Sequence, residues 1–319
     1  MADVVVAGHI CLDVIVTPDS PAPIEPGVLL GAGAAELSAG GAVANTGLAL
    51  HHLGVDVRLC ARVGDDLFGD ATRAAVGELA VGLVTSEHDA GSYSIVVNRP
   101  GLDRSFLHFP GANDSFTADD VPDSALEGAR LFHFGYPPLM RRMYETGGVE
   151  LEALLIRVRG RGLMTSLDLA QPVVREADWA QMLRRALPYV DVFLPSLGEL
   201  QLMLGVDEAP PELTKRVLDM GVRIAGVKLG DQGLYVRTAD EEVVSPCFVP
   251  REVAGTTGSG DATIAGFLAA LLRGDDLESA ATAANAVGAC SVERRSGSDG
   301  IPSWPEIEAR ISAGWARRT

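Results

Sequence analysis

The segment Val253–Ala270 combines a glycine-rich turn, an acid and an apolar run, and this combination could bind and transfer an anionic group. It reads VAGTTGSGDATIAGFLAA, with Gly258, Ser259 and Gly260 directly before Asp261. Backbone N–H groups at the start of a helix lack partners within that helix, and with the helix dipole they form an anion site. Glycine also lets a phosphate approach the backbone closely.

Asp261 is an acid beside this candidate anion site. An acid in the first turn is a common and stabilising feature of helices. The run that follows is almost free of charge, however, and is therefore predicted to be buried. A carboxylate there would repel a bound anion. Its presence makes sense if it takes the proton of a hydroxyl that attacks the phosphorus atom of a bound phosphate. The pattern predicts a general base at Asp261 and an anion hole at the three preceding amides.

Composition excludes several classes of function. Acids outnumber bases 43 to 26 and the net charge is −17, a field that repels phosphate backbones, so we expect no nucleic-acid partner. Neither Lys215 nor Lys228 stands in the GxxxxGK[ST] pattern of a P-loop. No apolar run approaches the ~18 residues that cross a bilayer. The scattered cysteines are expected to be reduced, and we expect a cytoplasmic protein with no membrane partner.

Strand-like and helix-like segments alternate along the chain, which predicts an α/β fold with a central, mostly parallel sheet and helices on both faces. Helices are predicted around 141–159, over 260–273 and over 277–293. Ligands of such sheets bind where the strands end, so the loops after strands are the candidate site.

Two segments depart from this alternation. Residues 10–38 and 91–112 are interpreted as a small β-sheet insertion, because the second contains two β-rich runs around the turn RPGLD. No linker divides the chain, so residues 1–319 are predicted to form one α/β domain that carries this insertion.

The stretch GTTGSGDATIAGFLAA resembles the C-terminal signature of the ribokinase-like (PfkB) carbohydrate kinases, roughly DTTGAGDxFxAG. Further stretches resemble that family in the same order: GHICLD (8–13), AGGAVANTGLALHHLG (39–54), RVGDDLFG (62–69), FPGAN (109–113) and VKLGDQGLYV (227–236). Ordered matches over nearly the whole chain are more specific than any single motif. The resemblance implies a ribokinase-like fold with a β-sheet lid, and transfer of the γ-phosphoryl group of ATP to a sugar-type alcohol.

The resemblance also implies roles for individual residues. Asp261 would be the base, and the N–H groups of Gly258, Ser259 and Gly260 would stabilise the moving phosphoryl group. The residues implied in acceptor binding are Asp13, Gly40, Gly41 and Asn45. The residues implied in nucleotide binding are Lys228, Gly230, Gly233, Thr257 and Asn285. Glu199 would help organise Mg²⁺ through water.

The insertion would act as a lid that closes over the sugar and excludes water. In the family this lid often forms a dimer contact as well, so a homodimer through the lid is an expectation here.

Two more residues are candidates from their positions. Arg104 is placed on the second strand of the predicted hairpin, where it is either solvated or in contact with an acidic group of the substrate. Tyr136 follows a strand end, and it either stacks on the substrate or packs in the core.

The chain departs from the family pattern at several positions. Ser196 replaces the Asn of the NxxE motif. Gly255 replaces an Asp that helps bind a monovalent cation in many members, so dependence on K⁺ stays open. Ala42 and Gly135 stand where ribokinases carry a Lys and a ribose-binding acid, which argues against a ribose kinase.

Two alternatives to a sugar kinase remain. The first is a nucleoside kinase of the same fold, which would need an apolar slot near Tyr136 and the lid. The second is a non-catalytic homologue that binds a sugar or nucleotide. Release of ADP would separate an enzyme from a binding protein.

Overall fold

A large β-sheet organises the molecule. The computed structural model describes residues 2–102, 104–174, 176–298 and 300–318. The strands are β1 (Val4–Gly8), β2 (Cys11–Val16), β3 (Glu36–Gly40), β4 (Val57–Gly64), β5 (Leu83–Ser86), β6 (Tyr93–Val97), β7 (Ser105–Phe109), β8 (Leu131–Gly135), β9 (Met164–Asp168), β10 (Val192–Phe193), β11 (Ile224–Lys228), β12 (Leu234–Arg237) and β13 (Glu242–Ser245). Nine of them form one sheet in the order β13-β12-β11-β10-β9-β8-β1-β4-β5. Only the β11-β12 and β12-β13 pairs are antiparallel within it.

Helices cover both faces of this sheet. They are α1 (Gly41–His52), α2 (Leu67–Val76), α3 (Asp123–Leu126), α4 (Arg141–Tyr144), α5 (Val149–Gly160), α6 (Trp179–Ala186), α7 (Leu197–Leu204), α8 (Pro210–Asp219), α9 (Ser259–Arg273), α10 (Leu277–Ser291) and α11 (Trp304–Ser312). Alternate side chains of β1 enter two separate cores, Val4 and Val6 on one face and Val5 and Ala7 on the other. This arrangement confirms the predicted α/β fold.

The remaining four strands form a separate small sheet in the order β3-β2-β6-β7. They come from the two segments predicted as an insertion, although β3 continues to Gly40, slightly beyond the predicted boundary. The β2-β6 pair is parallel and the other two pairs are antiparallel. We call this sheet the lid.

Two details of the sequence-based prediction were wrong. The helix predicted around 141–159 is two helices, α4 and α5. They are separated by Gly147 and Gly148 with φ of +69° and +86°, a left-handed conformation that ends a helix. Arg104 is not on a strand, since β7 begins one residue later.

The predictions over 260–273 and 277–293 agree with α9 and α10 within two residues. Among the described residues, no helix is both long and apolar enough to cross a membrane.

Candidate active site

Two cavities meet at the start of α9, on the side where the parallel strands end. The first lies under the lid and has a volume of about 690 Å³; its lining includes Asp13, Gly41, Asn45, Arg104, Tyr136, Glu199 and Gly258. The second has a volume of about 340 Å³; its lining includes Lys228, Gly230, Gly233, Ser259, Gly260 and Asn285. We call them the lid cleft and the rear pocket. The structure thus brings together predicted site residues from eight separate segments of the chain.

Asp261 lies in the first turn of α9 and is buried, with 1% exposure. Its carboxylate accepts hydrogen bonds from Asn45 Nδ2 at 2.9 Å and from the Tyr136 hydroxyl at 2.9 and 2.8 Å to its two oxygens. Thr46 Oγ1 lies 3.5 Å from Oδ1. Burial raises the pKa of Asp261, while Lys228, Tyr136 and Asn45 oppose the rise.

A buried ion pair lies next to the start of α9. Lys228 Nζ, at the end of β11, is 2.9 Å from Asp168 Oδ2, at the end of β9. Burial acts to lower the pKa of Lys228, but the negative charges of Asp168, Glu199 and Asp261 together outweigh it, and the pKa is raised. The ammonium is therefore charged. A Cβ on Gly260 would lie 3.2 Å from Nζ, so the absence of a side chain there lets the helix start approach the lysine.

The pleat of the lid points a polar row into the lid cleft. The cross-strand register aligns Ser38, Asp13, Ser94 and His108. Cys11 Sγ, two residues from Asp13 on the same face, donates to Asp13 Oδ1 at 3.4 Å. His108 Nδ1 lies 3.0 Å from Ser94 Oγ, and its Nε2 lies 3.3 Å from His9 Nε2.

Burial controls the charge of this row. It raises the pKa of Asp13 to about 6. Burial also lowers the pKa of His9 and His108, and the neighbouring His108 lowers that of His9 further. Both imidazoles are therefore neutral at pH 7, and Asp13 carries the negative charge.

Glycines at the start of α1 bring it against this row. A Cβ on Gly40 would lie 2.4 Å from the Asp13 carboxyl group, and one on Gly41 would lie 2.5 Å from His9 Nδ1. Gly41 also has a φ of +81°, which disfavours other residues. Asn45 follows on the next turn of the same helix.

The loop before α9 faces both cavities. Arg104 donates to the hydroxyl of Thr257, which ties the lid to this loop. Thr257, which the sequence resemblance placed with the nucleotide, lines the lid cleft, whereas Thr256 lines the rear pocket. The amide of Ser259 donates to the Thr256 carbonyl at 3.3 Å, so it is partly engaged within the loop.

The rear pocket is bounded by the turn between β11 and β12. Gly230 and Gly233 there have φ of +62° and +101°, and a Cβ on Gly233 would meet the Ser245 carbonyl at 2.1 Å. Asn285, on α10, donates from Nδ2 to the same carbonyl at 2.8 Å.

Sequence reasoning missed His9, Thr46, Ser94, His108 and Asp168. Asp168 could have been found, because it ends a predicted strand beside the candidate loops. His108 and Ser94 required the pairing register of the lid, which the sequence does not give.

Two features together define a phosphotransferase for small molecules. One is a parallel sheet with a lid over its strand ends, and the other is an acid at a glycine-rich helix start between two cavities. The family model for the pfkB family carbohydrate kinases matches residues 1–304. The chain belongs to that family, which confirms the resemblance seen in the sequence, and it is a sugar or nucleoside kinase.

Relatives agree with this assignment, and a solved structure has a similar fold. The chain is 27% identical to fructokinase-1 of Zea mays over 304 residues, 89% of this chain and 92% of that protein. It is 26% identical to a nucleoside kinase of Methanothermobacter thermautotrophicus over 285 residues, 86% of this chain and 85% of that protein. Its fold is similar to that of an Arabidopsis thaliana ribokinase complexed with ribose and ATP, with a TM-score of 0.79, 19% identity and coverage of 97% and 98% of the two chains.

Proposed function

We propose that this protein transfers the γ-phosphoryl group of ATP to a hydroxyl of a small sugar-type acceptor, with Asp261 as the general base. The position of Asp261 carries the proposal, because it lies in the first turn of α9, next to Gly258, which lines the lid cleft, and Gly260, which lines the rear pocket. An acceptor in the cleft and a nucleotide in the pocket would meet at this point.

On the acceptor side, Asp13 and Asn45 would hold substrate hydroxyls. Asp13 is ionised above pH 6 and accepts hydrogen bonds, whereas Asn45 can also donate them. Gly40 and Gly41 would keep the start of α1 close to these groups, since a Cβ at either position would collide with Asp13 or His9.

On the nucleotide side, Lys228 and the amides of Gly258 and Gly260 would stabilise charge on the phosphoryl group. Ser259 would contribute less, since its amide also donates to Thr256. The base and sugar of the nucleotide would contact Gly230, Gly233 and Asn285 in the rear pocket. Because Asn285 Nδ2 donates to the Ser245 carbonyl, we assign the contact with the nucleotide to the side-chain oxygen of Asn285.

The residues present fit Mg²⁺ in the manner usual for nucleotide kinases, through water and substrate phosphates. No cluster of three or more His, Cys, Asp or Glu that could hold a metal occurs in the described part of the chain. Glu199 faces the cleft, and one of its oxygens accepts the Ser196 amide at 2.9 Å. Its other oxygen would orient a metal-bound water, and the ion would neutralise phosphate charge.

In the reaction, Asp261 would take the proton of the acceptor hydroxyl as its oxygen attacks the γ-phosphorus. The bond from that phosphorus to the bridging oxygen of ADP breaks, and ADP leaves. The chain supplies position and charge, and no covalent enzyme intermediate is needed.

A nucleoside acceptor is the second candidate, and the apolar part of the lid-cleft lining favours it. Phe106, Leu139 and Val173 also line this cleft, and they would give a base an apolar surface. A panel that includes free sugars, sugar acids and nucleosides, assayed with and without K⁺, would identify the acceptor.

Asp261→Asn tests the proposal. We expect ADP release with the best acceptor of the panel to fall by about 10²–10⁴-fold, the usual contribution of general acid–base catalysis. Binding of ATP and of the acceptor, measured by calorimetry, should stay within a few fold. Asp240→Asn, in the exposed turn between β12 and β13, is the matched control and should keep full activity.

Near-normal turnover in Asp261→Asn would show that another group is the base. If the wild type binds sugar but releases no ADP with any acceptor, the protein is a non-catalytic homologue.

A further inference from the structure

The side chain of Tyr136 makes an unusual contact with Asp261. Tyr136 follows β8, and its hydroxyl lies 2.9 and 2.8 Å from the two carboxylate oxygens. A neutral tyrosine has one proton to donate, so that proton is shared between the two oxygens. Burial and the nearby carboxylate of Asp261 raise the pKa of this hydroxyl, which keeps it protonated.

The backbone of Tyr136 is held in a conformation that is rare for its type. Its φ and ψ of 65° and 43° lie in the left-handed region, which non-glycine residues other than Asn and Asp seldom adopt. The amide of Tyr136 donates to the Asp168 carbonyl at 3.2 Å. Such strain persists only where the surroundings impose it, and it is concentrated at functional sites.

We propose that Tyr136 is a positioning residue for phosphoryl transfer: its hydroxyl holds the Asp261 carboxylate by the shared hydrogen bond and yields one oxygen to the acceptor hydroxyl. This inference rests on the proposed role of Asp261 as the base. When the acceptor binds, the Tyr136 hydroxyl keeps its hydrogen bond to one carboxylate oxygen of Asp261. The other carboxylate oxygen accepts the proton of the substrate hydroxyl. Tyr136 neither gains nor loses a proton in the reaction.

The groups around Asp261 define what Tyr136 does to its charge. Lys228 from β11 and the donors Asn45 and Tyr136 favour the ionised carboxylate, whereas burial and the charge of Glu199 from α7 oppose it. Asp13 from β2 and Asp168 from β9 are the other carboxyl groups that interact electrostatically with Asp261. Thr46 Oγ1 lies further away, at 3.5 Å. Removing the Tyr136 hydroxyl takes away a donor to the charged form, so Asp261 should hold its proton to a higher pH.

The test is the pH profile of kcat at saturating acceptor in Tyr136→Phe, which keeps the ring and removes only the hydroxyl. This profile reports the substrate complex, in which the ionisation of Asp13 in the free enzyme does not appear. We expect the acidic limb to move to higher pH by about one unit, a tenfold effect on the ionised fraction below that limb. kcat should fall more than the KM for ATP changes. Tyr235→Phe, which removes the hydroxyl of a buried tyrosine on a strand lining neither cavity, should leave the profile unchanged.

The outcomes separate the two proposals. An acidic limb that stays in place in Tyr136→Phe, with Asp261→Asn inactive, overturns the role of Tyr136 and leaves the base assigned. An active Asp261→Asn variant overturns the base itself. If Tyr136→Phe lowers the melting temperature and kcat but leaves the limb in place, Tyr136 is structural only.

Discussion

At the scale of single residues, the site concentrates buried carboxyl groups that burial makes harder to ionise. Asp13, Asp168 and Asp261 are each at most 6% exposed, and burial raises the pKa of each. Such groups cost folding free energy when they are charged. In the proposed function, the charged form of Asp13 binds a hydroxyl and that of Asp261 accepts its proton, which would explain why the protein tolerates this cost at these two positions.

Asp13→Asn should expose this cost as a pH-dependent gain in stability. The pKa of Asp13 is raised from its ordinary value to about 6 in the folded protein. Its contribution to stability is therefore full below about pH 4 and is lost as the pH rises through about 6. Asn does not titrate. We therefore compare the difference in unfolding free energy, variant minus wild type, at two pH values. We expect this difference to be more positive at pH 8 than at pH 5 by roughly 1–2 kcal/mol.

Chemical denaturation at the two pH values measures this difference, with Asp240→Asn as an exposed control. The same variant should bind the acceptor more weakly at pH 8, because the amide replaces an ionised hydrogen-bond acceptor. A stability difference that is independent of pH would contradict the raised pKa of Asp13.

At the scale of elements, the site depends on how closely the ends of β1 and β8 approach α1. A Cβ on Gly8 would lie 2.4 Å from the Gly135 carbonyl, and one on Gly135 would lie 2.0 Å from the Cβ of Ala42. Gly135 directly precedes Tyr136, and α1 carries Ala42 and Asn45. This contact therefore fixes two of the donors to Asp261 relative to each other.

Gly135→Ala should disturb stability and activity together. The added methyl group has no room, so β8 and α1 must move apart, at a cost of roughly 1–3 kcal/mol in unfolding free energy. The displacement of Tyr136 and Asn45 should lower kcat at least tenfold. Thermal unfolding and ADP release measure the two effects.

Gly160→Ala, at the end of α5, is the matched control, because a Cβ at that position would have no neighbour within 4 Å among the described residues. It should leave activity unchanged and stability equal or slightly higher. Equal behaviour of the two variants would contradict the importance of the β8–α1 contact.

At the scale of the whole molecule, the lid has an apolar outer face as well as its polar inner row. The register aligns Leu37, Val14, Ile95 and Leu107 across the four strands. Leu37 and Leu107 are 62% and 64% exposed. Val14 and Ile95 between them are half-buried. An apolar row that is exposed at both ends is a candidate protein contact, and it supports the prediction of a homodimer through the lid.

Ile95→Lys places a charge at the centre of this row and should prevent association. We expect the wild type to have about twice the monomer mass of 33.4 kDa by light scattering, and the variant to have the monomer mass. Leu202→Lys on α7, at a leucine that is 49% exposed, should leave the wild-type mass unchanged. A monomeric wild type would contradict the prediction.

The sequence by itself determined the features that depend on neighbouring residues. The glycine-rich start of α9, Asp261 in its first turn and the alternation of strands and helices follow from local propensity and pattern. For the same reason the ordered motifs identified the family, and strand ends located the edge of the sheet where Tyr136 and Lys228 lie. Local pattern was insufficient around 141–159, where it predicted one helix and the segment is divided into α4 and α5 at Gly147 and Gly148.

Only the tertiary structure decided which distant side chains touch. Asn45 and Tyr136 reach Asp261 because β1, β8 and α1 converge beside α9, and the sequence had allowed Tyr136 either to stack on the substrate or to pack in the core. The row of Asp13, Ser94 and His108 depends on strand register, in which a shift of one residue would turn every side chain to the other face. Such contacts join residues far apart in the chain, so no local pattern encodes them, and it is the packing of the elements that creates them.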